Sequence, residues 1–219
     1  MITPVRLLFD LDGTISDPAV GIVRSLNHAL VHFGHAAREA SDLHVHIGPP
    51  LDEAFRALAG LSSLEEIAPY VAKYRERYLA VGYRENVLYE GIAEGLRDLD
   101  ASGVPMGVCT SKRTDIAERV LEMFGVRRFF RFVDGGEVGT KKWQQIEGLK
   151  AKGLVDRATI MIGDRAVDIE AAHRNGLPGA GVLWGFGSRE EIESAQPEHV
   201  IATPADLKEL ITIRPTRKG

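Results

Sequence analysis

The rhythm of the chain from Gly91 onward constrains its fold most. Short apolar runs alternate with helical patterns, and the links between them are brief. Residues 105–109, 130–133, 159–162, 180–183 and 200–201 read as strands. Residues 92–101, 114–124, 143–152 and 166–175 carry helical spacing between them. Ser188 and Glu191 form a capping box before Ile192. Thr203 and Pro204 open a last helix, with Thr at the N-cap and Pro at the first helical position. The apolar run 5–9 adds a strand at the front. Alternation with short links predicts an α/β, Rossmann-like three-layer core: a mostly parallel sheet with helices on both faces and right-handed crossovers.

Residues 17–89 break that rhythm. Residues 18–33 place Val20, Ile22, Val23, Leu26, Leu30 and Phe33 near a 3.6 period, and Gly34 ends the run. The stiff Gly48-Pro49-Pro50 break precedes a helix over 51–58. Another starts at Ser62 or Ser63, capped by Glu65 or Glu66, and runs to about 81. No strand is expected between Thr14 and Gly91. The domains expected are a core of residues 1–16 and 90–219, and a helical insert of residues 17–89.

In such sheets the ligand site lies beyond the carboxyl ends of the strands. Asp10 and Asp12 follow the first strand, and residues two apart on an extended chain share a side. Paired carboxylates aimed together suit a nucleophile plus a general acid/base, held ionised by a cation. Thr110, Ser111 and Lys112 follow the strand 105–109, and Gly163 and Asp164 follow 159–162. Asp164 and Asp168 are four apart and share a face if the helix begins near Asp164. Converging acids need a counter-charge, and oxygen-only ligands suit Mg²⁺. Thr110 reads as a helix N-cap whose free N–H groups also suit an anion. Lys141 or Lys142, at a helix start where lysine opposes the dipole, is placed to reach into the crevice.

Composition narrows the partners. The 219 residues carry a formal charge of -4, with 26% charged and 44% hydrophobic residues. No basic stripe points to a nucleic acid polymer. No uninterrupted apolar run is long enough to span a bilayer, and no leader pattern precedes the first strand. The single cysteine, Cys109, sits in an apolar run and cannot form an intrachain disulfide. A cytoplasmic monomer is the default. His44 and His46 alternate, and His28, His32 and His35 have near-helical spacing, but no acid or cysteine cluster completes a metal site. Arg165 reads as a surface or helix-start residue.

Together these parts resemble the phosphatases of the haloacid dehalogenase superfamily. Asp10-Leu11-Asp12-Gly13-Thr14 resembles its first motif, and Thr110 at a strand end its second. Lys142 resembles the motif-three lysine, although Trp143 stands where many members have proline. Gly163-Asp164 with Asp168 resembles the fourth. The insert resembles a C1 cap. Residues 47–51, 89–92, 110–112 and 181–187 are similar to the phosphoglycolate phosphatase-like branch, and within it to bacterial 5'-nucleotidase-like members.

The resemblance implies Asp10 as nucleophile through an aspartyl-phosphate and Asp12 as acid/base. It implies Mg²⁺ on Asp10, the Asp12 carbonyl and Asp164, with Asp168 either a further ligand or a residue that orients the ligands. Thr110, Ser111, Lys142 and Gly13 then face the phosphoryl oxygens, and the Gly48-Pro49-Pro50 loop meets a small phosphate ester. Asp12 argues against a dehalogenase proper, which needs no second acid. A sugar phosphomutase or a non-enzymatic phosphate-binding module are the alternatives. For substrate, aromatic or apolar insert residues suit a nucleotide base, and an arginine such as Arg24 or Arg56 suits a carboxylate.

Overall fold

Arg6–Phe9 forms strand β1, with Leu7, Leu8 and Phe9 all sealed from solvent. A strand without a solvent face is the mark of a sheet covered on both sides. The computed structural model describes residues 5–211 and places β1 at its centre. The chain then turns into β2 (Ser16–Asp17), α1 (Ala19–His32), α2 (Ala40–Leu43), α3 (Leu51–Ala59), α4 (Leu64–Ala80) and β3 (Val87–Leu88). Next come α5 (Ile92–Ala101), β4 (Met106–Thr110), α6 (Thr114–Met123), β5 (Val133–Gly135) and α7 (Lys142–Ala151). The order ends with β6 (Thr159–Gly163), α8 (Ala166–Arg174), β7 (Gly179–Val182), α9 (Arg189–Ser194), β8 (His199–Ile201) and a 3₁₀ helix over Pro204–Ile211.

Six strands form one parallel sheet in the order β5-β4-β1-β6-β7-β8. The fold is therefore α/β and Rossmann-like. Alternation along β1 divides the layers. Leu7 and Phe9 join Val108, Ile160 and Ile162 under α5 and α6. Leu8 joins Cys109 and Met161 under α7 and α8, through Ile146, Leu149, Ala171 and Ala172. The chain leaves β1 for β4 on one side and crosses to β6 on the other, so a crevice opens at the carboxyl end of β1.

Helices α1, α3 and α4 bury a separate cluster built on Leu26, Ala29, Phe55, Ile67 and Tyr78. Helix α4 starts as the sequence predicts. Ser63 accepts from the Glu66 N–H at 3.2 Å, and the Glu66 carboxylate accepts from the Ser63 N–H at 3.0 Å.

Four local expectations are corrected. A strand pair does lie between Thr14 and Gly91: β2 and β3 pair antiparallel, Ser16 opposite Leu88, at the neck of the insert. Two residues per strand leave no periodicity to read. The strand expected over 130–133 lies at Val133–Gly135, because Phe129 and Phe130 turn inward instead. Phe130 meets Phe9 edge-on at 5.9 Å. The final helix is 3₁₀, and Thr203 donates to Asp206 through both its N–H (3.0 Å) and its hydroxyl (2.7 Å), rather than capping as an acceptor. At α9 Ser188 caps the Glu191 N–H at 3.0 Å, but the reciprocal half is missing. The Glu191 carboxylate accepts instead from Arg165 Nε (2.8 Å) and the Ala166 N–H (3.0 Å).

Candidate active site

The carboxyl ends of β1, β4 and β6 deliver Asp10, Thr110 and Asp164 to one crevice, and all three are buried. Asp10 is fixed by its N–H, which donates to the Ile162 carbonyl at 2.8 Å. Its Oδ2 lies 3.0 Å from Lys142 Nζ. Its Oδ1 is buried and has no hydrogen-bond partner among the described residues. Asp164 accepts from Thr14 Oγ1 at 3.2 Å and from the Phe186 N–H at 2.9 Å. Asp168 pairs with Lys142 through Oδ1 and accepts from the Arg165 N–H through Oδ2 at 3.1 Å.

Glycines make room for this cluster. A Cβ on Gly13 would fall 2.1 Å from Asp164 Oδ2, and one on Gly163 would fall 2.2 Å from the Asp168 carboxyl. Gly13 also has φ +86, a conformation that L side chains rarely adopt.

Asp10, Asp164 and Asp168 each offer an oxygen within 4.8 Å of the others. Among the described residues one ammonium, Lys142, contacts Asp10 and Asp168, and none contacts Asp164. Burial pushes the Asp164 carboxyl up to about 8, aided by the charges of Asp168 and Asp10. Burial alone would depress the Lys142 ammonium; Asp10 and Asp168 outweigh it and hold it above its ordinary value. An orphaned buried oxygen within an under-neutralised, all-oxygen cluster fits a hard divalent cation such as Mg²⁺.

Asp12 occupies the same crevice with a different partner. Its Oδ2 lies 2.7 Å from Lys112 Nζ, and its Oδ1 is buried without a partner. Lys112 in turn donates to Tyr78 Oη on α4 at 3.0 Å. Burial raises the Asp12 pKa, and Lys112 opposes it. Strand β1 ends at Phe9, so the turn that follows it, rather than the strand's period of two, sets where Asp12 lies relative to Asp10.

Other expectations shift as well. Helix α8 begins at Ala166, so only Asp168 stands in its first turn, and Asp164 belongs to the link after β6. Thr110 ends β4 and accepts from the Lys112 N–H at 3.3 Å, whereas α6 begins at Thr114, too far on for Thr110 to cap it. Lys142 is buried against the acids, while Lys141 is exposed and pairs with Glu53 of α3.

Ser111 Oγ donates 2.6 Å to the Gly48 carbonyl, so it ties the 48–50 loop to β4. Gly48 and Pro49 line the cavity in front of Asp12; Pro50 instead precedes α3 as its N-cap. Arg24 pairs with Glu85 and Arg56 with Asp52, and neither lines that cavity. His44 and His46 lie in a 3₁₀ turn, not on an extended segment.

Sequence reasoning gave no role to Lys112, Thr14, Arg165 or the Phe186 N–H. Lys112 stood among the strand-end groups, two residues past Thr110. Arg165 is more than a surface residue: its Nη1 donates to the Ile47 carbonyl at 2.9 Å and its Nε meets Glu191.

Residues 7–182 match the model of the haloacid dehalogenase-like hydrolases. The chain belongs to this family, on its phosphatase side. A 5'-nucleotidase of Pseudomonas aeruginosa is 35% identical over 94% of this chain and 95% of its own length. The tyrosine-protein kinase PtkA of Mycobacterium tuberculosis is 35% identical over 96% of this chain and 74% of its own. A phosphoglycolate phosphatase of Agrobacterium fabrum is 30% identical over 94% and 93%. A predicted phosphatase from Clostridium acetobutylicum superposes with a TM-score of 0.90 at 31% identity, over 96% of this chain and all of that one. Among the described residues no helix is long and apolar enough to cross a membrane.

Proposed function

We propose that the chain is a Mg²⁺-dependent phosphomonoesterase that works through an aspartyl-phosphate on Asp10. The observation that carries this reading is the Asp10 carboxylate itself. One oxygen is held by Lys142 and the other is unpartnered, within a three-acid cluster at the sheet's switch point. Its substrate is a small phosphorylated metabolite, of the 5'-nucleotide or phosphoglycolate kind that relatives' names carry. It acts as a cytoplasmic monomer on a small molecule, with no nucleic acid polymer or membrane partner.

In this reading an Asp10 oxygen attacks phosphorus, and the P–O bond to the alcohol breaks. Asp12 gives its proton to the departing oxygen, a role its burial-raised pKa favours. Water then attacks the phosphorus of the acyl phosphate while Asp12 takes its proton, releasing phosphate and free Asp10. Thr110, Ser111, Lys142 and the Gly13 backbone bind the phosphoryl oxygens. Asp10, the Asp12 carbonyl and Asp164 would hold Mg²⁺. Both Asp168 oxygens already face protein donors, so it orients Lys142 and closes the cluster. Bound Mg²⁺ supplies charge neutralisation at the phosphoryl group. Residues 17–89 act as the cap on a core of 1–16 and 90–219, and its 48–50 loop covers the site and excludes water.

Asp10→Asn keeps the side chain's shape and removes the nucleophile. Phosphate release from p-nitrophenyl phosphate with Mg²⁺ is expected to vanish, with the thermal midpoint and circular dichroism retained. Undiminished turnover in that variant refutes the assignment.

A further inference from the structure

The cavity in front of Asp12 has a volume of about 80 Å³ and is walled by residues of both the insert and the core. Its wall carries three permanent cations, Arg75, Lys112 and Arg113, and a single acid, Asp12. Two of the cations are already matched. Lys112 pairs with Asp12 at 2.7 Å, and Arg113 makes two contacts to Asp115, at 2.5 and 2.6 Å. Arg75, on the inner side of α4, is half-buried and has no ion-pair or hydrogen-bond partner among the described residues. A partly desolvated guanidinium without an anion loses hydration and gains nothing in return, and a docking anion reverses that balance.

The tyrosines of the same wall offer no platform for a base. Tyr74 and Tyr78 are buried and stacked on each other, 5.4 Å apart and 11° from parallel. Lys112 Nζ sits 4.7 Å from the Tyr78 ring centre. The walls therefore provide a free cation and no open tyrosine face, with His46 as the remaining ring.

We propose that Arg75 anchors a second anionic group of the substrate. The substrate is then a small phosphate ester bearing a carboxylate or a second phosphate at the end remote from Asp10, and not a nucleoside monophosphate. This rests on the phosphomonoesterase reading above. Arg75 determines specificity and takes no part in bond making.

The test compares kcat and KM of the full chain, its Arg75→Met variant and its Arg75→Lys variant, with Mg²⁺, on four esters. These are 2-phosphoglycolate (carboxylate), ethylene glycol bisphosphate (second phosphate), ethyl phosphate (neutral end) and AMP (base). The wild type is expected to favour one of the two esters with a second anionic group over ethyl phosphate and AMP by kcat/KM. Arg75→Met is expected to raise KM for that ester at least about tenfold more than it changes KM for ethyl phosphate, with kcat altered less than about threefold. Arg75→Lys is expected to recover part of the loss, because it keeps the charge without the fork. The identity of the favoured ester decides between carboxylate and phosphate. A wild-type preference for AMP, or equal losses on ethyl phosphate and the esters with a second anionic group, overturns the Arg75 assignment and leaves the phosphatase reading standing. Release of phosphate from none of the four overturns both.

Discussion

Lys142 is the residue on which the buried charges turn. Among the described residues it is the one ammonium in contact with Asp10 and Asp168, and both contacts are sealed from solvent. Removing one partner from a buried ionic cluster leaves charge uncompensated, at a cost of about 3–5 kcal/mol. Lys142→Met is expected to lower stability by that order in EDTA, and by less when Mg²⁺ is added, because the cation then shares the acids. Urea unfolding with and without Mg²⁺ measures it; equal losses in both conditions contradict the shared-charge picture. Gly13 is the steric counterpart. Its φ of +86 and the 2.1 Å approach of Asp164 to any added Cβ leave no room for a side chain. Gly13→Ala is expected to cost about 1–3 kcal/mol by overpacking and to weaken activation by Mg²⁺, read as a raised Mg²⁺ concentration for half-maximal phosphate release. An unchanged midpoint and unchanged activation contradict the cradle. At this scale the sequence showed the acids and their spacing, since strand ends are readable from apolar runs. It could not show that Asp12 and Lys112 pair, because the turn after β1 decides where Asp12 points.

Helix α4 shows how a local signal becomes an element. Its start was readable from Ser63 and Glu66 alone, since the capping box is made of neighbours in sequence. Four hydrogen bonds, from the Ser63 and Ser62 N–H groups and both serine hydroxyls, pull the Glu66 carboxyl down to about 2. A depressed acid stabilises above its unfolded value and loses that contribution as pH falls through its folded one. The Glu66 contribution is therefore complete above about pH 4.5 and is lost toward pH 2. Glu66→Gln is expected to show a smaller fall in thermal midpoint than the wild type between pH 5 and pH 3. Parallel falls contradict the cap's role. The β2–β3 pair and the displaced β5 lay beyond local signals. Ser16 finds Leu88 across the whole insert, and Phe130 is drawn inward by Phe9, a partner 121 positions earlier.

Across the whole molecule, the insert is fastened over the crevice by groups from several core elements. Ser111 holds Gly48, Arg165 holds Ile47, Lys112 reaches Tyr78, and the Gly139 N–H donates to Asp52 at 3.3 Å. The division into a sheet and a helical insert was visible as a change of hydrophobic period. The fasteners were not, because each joins residues more than thirty positions apart and none has a pattern of its own. Such contacts hold the insert against the crevice; under the proposed function this is the arrangement that excludes water from phosphoryl transfer. The central claim is the covalent step on Asp10, and quenching in acid during turnover of a radiolabelled phosphate ester with Mg²⁺ tests it most directly. Label is expected on the peptide that carries Asp10, released by hydroxylamine as an acyl phosphate is. Label on another residue, or full turnover with no protein-bound label under pre-steady-state quenching, contradicts it.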